Sequence, residues 1–240
     1  MRIGLASSKL LTQTLSSIGL GLFLTSLTIF AGVPTSASQA SDRSSGYTSF
    51  FEDKESSLRN SGWSSCTENI TWSMDSGGLK PKAAKIELTR MTAAFQKWSN
   101  ATQIKFSFIG THAMSYDQAT HHLSSPTMPL TNHIAVAVMP ASSSPLLQSN
   151  VYGFGMPSQV LDSTNRIVSG ILVIKEETIT ANVRHDPQTL DHLYLHELGH
   201  VMGLGHVNDE TQIMFPTIYR QTVLGSGDAA GAFAFTQPCN

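Results

Sequence analysis

Residues 196–206 read HELGHVMGLGH, which places three histidines, one glutamate and a glycine at fixed spacings. His196 and His200 are four residues apart, so on a helix both imidazoles project from the same face. Gly203 has no Cβ and allows the helix to end abruptly, after which the chain turns back and carries His206 towards the other two histidines. The string therefore requires a helix, a sharp turn and a return loop at one point of the fold.

Three imidazoles are a ligand set that Zn²⁺ takes at catalytic sites, where a fourth position stays open for water. Glu197 lies beside these ligands, in place to accept a proton from that water. Chance is disfavoured because the additional glycine and histidine reduce random matches by roughly a thousandfold. The sequence predicts one zinc ion, the ligands His196, His200 and His206, and Glu197 as the catalytic base.

The first 40 residues have the pattern of a secretory signal peptide. Arg2 and Lys9 form a short basic region, and residues 18–33 are apolar apart from Thr and Ser. This run of about 16 residues is shorter than the roughly 20 that a membrane-spanning helix needs, which favours cleavage over an uncleaved anchor. We expect cleavage after Ala40, with Ala37 as the alternative, and an exported, extracellular protein.

The remaining ~200 residues are enough for one domain with a hydrophobic core. Charged residues make up 13% of the chain and the net charge is −2, so no polybasic surface indicates binding to nucleic acid or to a membrane surface. The chain has no internal repeat and no coiled-coil heptad. We expect a monomer without a nucleic-acid partner and, after signal removal, without a membrane partner.

The chain has two cysteines, Cys66 and Cys239. In an exported protein a single disulfide between them is the simplest expectation, and it would join the start of the folded domain to its end. The alternative is that Cys66 binds the zinc as an inhibitory thiolate in a latent form. The residues around Cys66 give that alternative little support.

The hydrophobic pattern predicts an α+β fold. Alternating or continuous apolar segments predict strands, which we place at 70–74, 104–108, 133–139, 151–156 and 167–174. Apolar residues at three- and four-residue intervals predict a long helix over 81–99. Two further helices are expected, one over 189–202 with the metal motif and one over 228–235. The glycines of 151–156 place that strand at a sheet edge.

Two kinds of segment have no clear periodicity. Residues 41–65 are rich in Ser, Gly and charge, which predicts a flexible leader or short pro-segment before a catalytic domain over 66–240. Residues 109–132 and 140–150 are rich in Ser, Pro, Thr and His, which predicts loops.

The first of these loops contains a candidate second metal site. Its members are His112, Asp117, His121 and His122. Their spacing has no tight ligand pattern, so solvated surface histidines are the simpler interpretation.

Residues 212–216 read QIMFP and place Met214 eight residues after His206. A methionine beneath three imidazoles packs tightly without adding a competing hard ligand. Together the zinc motif and this segment resemble the metzincin metalloproteases, most closely the matrixin branch, in which a methionine turn forms an apolar base under the zinc. Residues 227–231, GDAAG, are similar to the start of that family's C-terminal helix, where an Asp caps the helix beside the turn.

The resemblance implies a metzincin-like catalytic domain with a twisted, mostly parallel sheet and an antiparallel edge strand. A long packing helix, the zinc-binding helix and a C-terminal helix complete it. The implied activity is hydrolysis of peptide bonds in an extended peptide or protein that pairs with the edge strand. The candidate substrate-binding residues are Tyr152, Gly153, Phe154 and Gly155 on that strand and Phe215, Ile218 and Tyr219 after the methionine.

Some positions depart from the matrixin pattern. Val207 follows the third histidine where matrixins usually have Ser. Pro216 stands where astacins and serralysins have a ligating tyrosine, and Tyr219 lies one residue later than the tyrosine that often lines the matrixin specificity pocket. The Asp-rich calcium loops and the Pro-Arg-Cys-Gly switch of vertebrate matrixins are not visible, so Ca²⁺ binding has no support in the sequence.

Two other functions are compatible with the same motif. One is a secreted zinc-binding module without catalysis that binds protein surfaces, against which the retained Glu197 argues. The other is a zinc hydrolase that cleaves a non-peptide amide, against which only the resemblance argues. Asn69 and Asn100 begin N-x-T sequons, which matter only if the source cell glycosylates its exported proteins.

Overall fold

The computed structural model describes residues 46–52, 56–64, 69–148, 150–161, 163–182 and 186–236. The predicted signal peptide and both cysteines lie outside these ranges, as does the predicted disulfide. Within them, no helix combines the length and the apolar character that crossing a bilayer would require.

Eight strands form a large sheet and a small hairpin in the described part of the chain. They are β1 (Gly62–Trp63), β2 (Ile70–Asp75), β3 (Phe106–Thr111), β4 (Ser115–Asp117), β5 (His122–Ser124), β6 (His133–Met139), β7 (Gly153–Leu161) and β8 (Arg166–Lys175). The large sheet has the order β1-β8-β6-β2-β3 with all these pairs parallel, and β7 pairs with β8 in the antiparallel direction. Strands β4 and β5 form the hairpin.

Helices cover one face of this sheet. The described helices are α1 (Pro81–Thr102), α2 (Glu176–Asn182), α3 (Pro187–Val201) and α4 (Ser226–Ala234). Helix α1 begins at Pro81, whose fixed φ suits a first turn, and ends at Gln103 in the left-handed region with φ +61°. Helix α3 begins after Asp186, whose carboxylate accepts a hydrogen bond from the Gln188 N–H at 3.2 Å. The predicted α+β fold with an antiparallel edge strand is confirmed.

The strands divide their side chains between two hydrophobic cores, one on each face of the sheet. On β6, residues 134, 136 and 138 belong to the core that contains α1 and α3. Ala135 and Ala137 belong to the smaller core beneath the β4–β5 hairpin. Because both faces of β6 are covered, its sequence is a continuous apolar run rather than an alternating one.

Two buried tryptophans fix α3 in place. The indole N–H of Trp98, on α1, donates to the backbone carbonyl of Leu195 at 3.1 Å. The indole N–H of Trp63, on β1, donates to the carbonyl of Val201 at 2.9 Å. Since α3 is held from α1 and from the sheet at its C-terminal half, the end that carries the metal motif has a fixed position.

The structure differs from the sequence prediction at several boundaries. Strand β3 begins at Phe106 rather than at residue 104, because Ile104 lies in the turn that leaves α1. Strand β7 begins two residues later than expected and extends to Leu161. The predicted loops contain the β4–β5 hairpin and two 3₁₀ turns, and β1 and α2 were not predicted. These elements have two to seven residues, too few to show a hydrophobic period.

The expectation of a flexible leader over 41–65 is wrong for the residues that the structure describes. Residues 62–63 form β1 of the large sheet, and Ser49 forms an antiparallel bridge with Leu204. The packed domain therefore begins before residue 66. The composition of this segment is polar, but Phe51 and Trp63 are buried, and Tyr47, Phe50 and Leu58 are half-buried.

Acid should destabilise the fold through His133. This residue is buried at the start of β6, where its ring nitrogens face the hydroxyls of Thr71 at 2.8 Å and Ser73 at 2.9 Å. Burial, assisted by His112, lowers its pKa from 6.5 to about 4. The unfolded chain then binds a proton that the folded chain does not, so stability should fall as the pH decreases from about 6.5 to about 4, by up to about 3 kcal/mol from this residue.

Urea unfolding of the unchanged protein and of His133→Gln near pH 7 and near pH 4.5 measures this effect. The variant should lose less stability over that interval. His122→Gln, on the hairpin, is the matched control and should behave as the unchanged protein does. An equal loss in all three proteins would contradict the prediction.

Candidate active site

The metal motif occupies the end of α3 and the loop that follows it. His196 and His200 lie one turn apart on α3, and both are buried. The helix ends at Val201, and Gly203 adopts φ +98°, a conformation that residues with a Cβ rarely take. The loop then returns along the helix end and brings His206 beside the other two histidines, as the sequence predicted.

Hydrogen bonds at Nδ1 orient two of the three imidazole rings. The Nδ1 of His196 lies 2.8 Å from the carbonyl oxygen of Ile213, and the Nδ1 of His200 lies 2.8 Å from that of Leu204. A carbonyl only accepts, so each Nδ1 carries the proton and each Nε2 presents a lone pair. These two Nε2 atoms lie 3.1 Å and 3.2 Å from the Nε2 of His206. Lone pairs thus converge on one point, an arrangement that a cation stabilises.

The donor set fits Zn²⁺. Tetrahedral coordination with Zn–N bonds of about 2.0–2.1 Å places ligand nitrogens about 3.3–3.4 Å apart, close to the observed separations. Burial, together with the neighbouring histidines, lowers the pKa of His196 well below its usual value, and burial lowers that of His206 to about 4. These low pKa values favour the neutral form of His196 and His206, the form that binds a metal ion. Among the described residues, no other group of three or more His, Cys, Asp or Glu side chains converges in this way.

Glu197 is a buried carboxylate without a partner. It is fully inaccessible to solvent, and neither side-chain oxygen makes a hydrogen bond to a described residue. Burial raises its pKa from 4.5 to about 8, and the nearby Gly155 N–H, which lies outside hydrogen-bond geometry, opposes this shift only in part. An unsatisfied buried carboxylate destabilises a fold, so its presence beside the three imidazoles indicates a chemical role.

The edge strand β7 lies directly on the backbone of α3, which we call the zinc helix. A Cβ at Gly155 would be 1.9 Å from the carbonyl oxygen of Glu197, so only glycine allows this approach. The side chains alternate, and Phe154 is fully buried in the smaller core on the other face. Phe154 could therefore reach a peptide only through its backbone, the mode expected for pairing with an edge strand. Tyr152 is half-buried and packs against the main core.

The methionine turn lies below the histidines. A Cβ at Gly199 would be 2.3 Å from the Sδ of Met214, which places the sulfur against the zinc helix between the ligand positions. The carboxylate of Asp228, in α4, accepts hydrogen bonds from the N–H groups of Ile213 at 2.7 Å and Met214 at 3.1 Å. Because the carbonyl of Ile213 also binds His196, Asp228 orients a ligand through the turn.

Comparison with protein families identifies this arrangement. The family model described as Matrixin matches residues 62–232. The chain belongs to the matrixin family. This membership confirms the resemblance, with Val207 in place of the usual Ser, and makes the chain a member of a zinc-dependent metalloprotease family. A comparison with curated protein sequences gave no match.

The remaining predicted residues of the matrixin site lie after the methionine. Phe215 and Tyr219 stack with ring centroids 5.8 Å apart and planes 10° from parallel, and 42% of Tyr219 is exposed. Ile218 is half-buried against the main core. These three side chains therefore lie in one segment directly after the methionine turn, with two of them stacked on each other.

The candidate second metal site of the matrixin domain is not assembled. The Nδ1 of His112 faces Thr127 at 2.9 Å, and the Nδ1 of His121 faces the Tyr116 hydroxyl at 2.7 Å. Asp117 accepts hydrogen bonds from the backbone of its own turn. These side chains stabilise the hairpin region instead.

One residue near the matrixin zinc site was missed in the sequence. His192 lies one turn before His196, fully buried, with 6.3 Å between the two ring centroids. Neither of its ring nitrogens has a hydrogen-bond partner among the described residues, and burial lowers its pKa to about 4. Its spacing of four residues from His196 was the available signal.

Gly155→Ala should displace β7 from the zinc helix. The new methyl group would overlap the Glu197 carbonyl, so we expect the free energy of unfolding to fall by about 1–3 kcal/mol. Urea unfolding measures this loss. Gly78→Ala is the control, because Gly78 is exposed and its nearest contacts are the flexible carboxylate of Glu176 at 3.0–3.1 Å. Equal midpoints for the two variants would contradict the described contact.

Proposed function

We propose that the chain is a secreted zinc-dependent endopeptidase that hydrolyses peptide bonds in extended segments of proteins. The observation that carries this proposal is the convergence of three imidazole nitrogens beside the unpaired carboxylate of Glu197. Membership of the matrixin family supports zinc as the metal and peptides or proteins as substrates.

The residues that would hold zinc are His196, His200 and His206, with Met214 as the apolar base of the site. When bound, zinc supplies Lewis acidity, which lowers the pKa of water and polarises a carbonyl group. The hydrogen bonds from the Nδ1 atoms of His196 and His200 to backbone carbonyls keep their lone pairs directed at the metal position.

Glu197 would transfer the proton. Its carboxylate accepts a proton from the attacking water and delivers it to the departing amine nitrogen. The carboxylate is buried and its oxygens make no hydrogen bond to a described residue, so their lone pairs are available to accept this proton. The positive charge of a bound zinc ion would favour the ionised form of Glu197 that accepts it.

Strand β7 would bind the substrate backbone. Within the described residues β7 pairs with one strand, β8, and a peptide would add to its other edge by β-augmentation. The backbone groups of Gly153 and Gly155 would pair with that peptide. Phe215, Ile218 and Tyr219 would form the apolar wall of a side-chain pocket beyond the zinc.

Glu197→Gln should retain zinc and lose peptidase activity by roughly 100-fold or more, because the amide preserves the shape of the side chain but cannot accept the proton. Casein cleavage and zinc content, measured on the same sample, test this expectation. Glu210→Gln is the control, since Glu210 is exposed after the zinc loop. Full cleavage by Glu197→Gln would refute its assignment as the base.

His200→Ala tests the zinc ligands in the same experiment. It should bind no stoichiometric zinc, whereas His122→Ala should bind as much as the unchanged protein. Stoichiometric zinc in His200→Ala would refute the ligand set. An unchanged protein that binds zinc but cleaves no peptide library would instead be a non-catalytic zinc-binding module.

Export should leave a chain that begins at Ser41 and contains a Cys66–Cys239 disulfide. The proposal rests on the signal-peptide pattern of residues 1–40 and on the even cysteine count. N-terminal sequencing of the exported protein and non-reducing peptide mass measurement test its two parts. An exported protein that still contained residues 1–40 would contradict the first part. Free thiols at both cysteines would contradict the second.

A further inference from the structure

The segment 46–50, here called the strap, runs beside the loop that carries the third histidine. Ser49 forms an antiparallel bridge with Leu204. The Phe50 N–H donates to the Gly203 carbonyl at 2.8 Å, and the Gly205 N–H donates to the Thr48 carbonyl at 2.8 Å. The strap therefore pairs with the loop 203–206 through backbone hydrogen bonds of antiparallel type.

A side-chain bond extends this pairing to the ligand itself. The hydroxyl of Thr48 donates to the backbone carbonyl of His206 at 2.7 Å. The ring of Phe50 meets the ring of His200 edge to face, with centroids 5.7 Å apart. The strap therefore contacts two of the three histidines that would bind zinc.

The strap lies in a groove whose glycines leave room for it. A Cβ at Gly205 would be 2.5 Å from the Ser49 carbonyl oxygen, and one at Gly227 would be 2.1 Å from the Gly46 carbonyl oxygen. A Cβ at Gly231, on α4, would be 2.7 Å from the Tyr47 side chain. Contact at these three glycines shows that the strap is fitted to the groove and does not merely cross it.

His206 differs from the other two ligands because it lies on a loop. The helix holds the backbone of His196 and His200, and it also binds the start of the loop, where the N–H groups of Gly203 and Leu204 donate to α3 carbonyls at 3.0 Å. Further along, at Gly205 and His206, the bonds described above come from the strap. Ordering a loop costs conformational entropy, and a ligand that must be ordered during metal binding lowers the affinity. A loop already paired with the strap avoids this cost.

We propose that the strap positions His206 for zinc, with Thr48 as the positioning residue, so that metal affinity depends on a segment far upstream of the zinc motif. Cleavage after Ala40 would leave the strap in the exported chain. The inference rests on the proposed zinc binding but not on peptide hydrolysis. Thr48 acts on the metal only through the backbone of His206.

Thr48→Val removes the hydroxyl donor and keeps the shape of the side chain. One hydrogen bond of ordinary strength corresponds to an about fivefold higher zinc dissociation constant, measured by competition with a chromophoric chelator. Thr89→Val is the matched control. Thr89 is exposed on α1 and donates to the Lys85 carbonyl at 3.0 Å, and its replacement should leave zinc affinity unchanged.

Gly227→Ala displaces the strap at its other end, and besides Gly46 the nearest neighbour of the added Cβ is the Oε1 at the end of the Gln212 side chain, 3.1 Å away. The added methyl group overlaps the Gly46 carbonyl, so we expect the zinc dissociation constant to rise by about tenfold or more. Hydrogen exchange at the Gly205 amide should also become faster, because its acceptor on Thr48 moves away. Gly78→Ala is the matched control for the added methyl group.

The outcomes separate this inference from its alternatives. A strap that only stabilises the fold would lower the unfolding midpoint equally with and without zinc and would leave both dissociation constants unchanged. That result would overturn the inference and leave the proposed function intact. An unchanged protein that binds no zinc would overturn the proposed function, and the inference with it.

Discussion

Three neutral imidazoles whose lone pairs meet at one point repel one another, and the rest of the structure opposes that repulsion. The two helical histidines are held by backbone carbonyls at 2.8 Å, and the third approaches them to 3.1–3.2 Å. A cation bound where the nitrogens meet would replace this repulsion with attraction. The neighbours of the three histidines must therefore be rigid, which explains why the zinc helix is anchored from several elements.

These anchors come from distant parts of the chain. Trp98 and Trp63 bind carbonyls of the zinc helix, Asp228 binds the methionine turn, and Thr48 binds the loop of the third ligand. The contacts of Trp63 and Thr48 end on the 11-residue motif itself, at Val201 and His206, whereas those of Trp98 and Asp228 end on Leu195 and Met214 beside it. The motif supplies the chemical groups, whereas the surrounding domain supplies their positions.

The sequence was sufficient for those parts of the fold and site that local patterns encode. The zinc motif, the long helix from Pro81 and the buried strand 133–139 each contain enough residues to show a spacing or a period. The sequence was insufficient where geometry depends on long-range packing. Nothing local in residues 46–50 indicates a partner more than 150 positions away, and the six-residue β3 shifted because a left-handed Gln103 ends the preceding helix. His192 shares the helical spacing of the ligands, but burial without a partner is visible only in three dimensions.

The contact between Gly155 and the backbone of the zinc helix fixes the position of β7 relative to the three histidines. A strand that touches the helix without an intervening side chain cannot rise or sink relative to the three histidines. A peptide paired with the other edge of this strand would have its backbone at the same distance from the histidines, whatever its side chains are. The depth of the scissile bond would then be a property of the main chain alone, and selection among sequences would fall to the apolar segment beyond the metal.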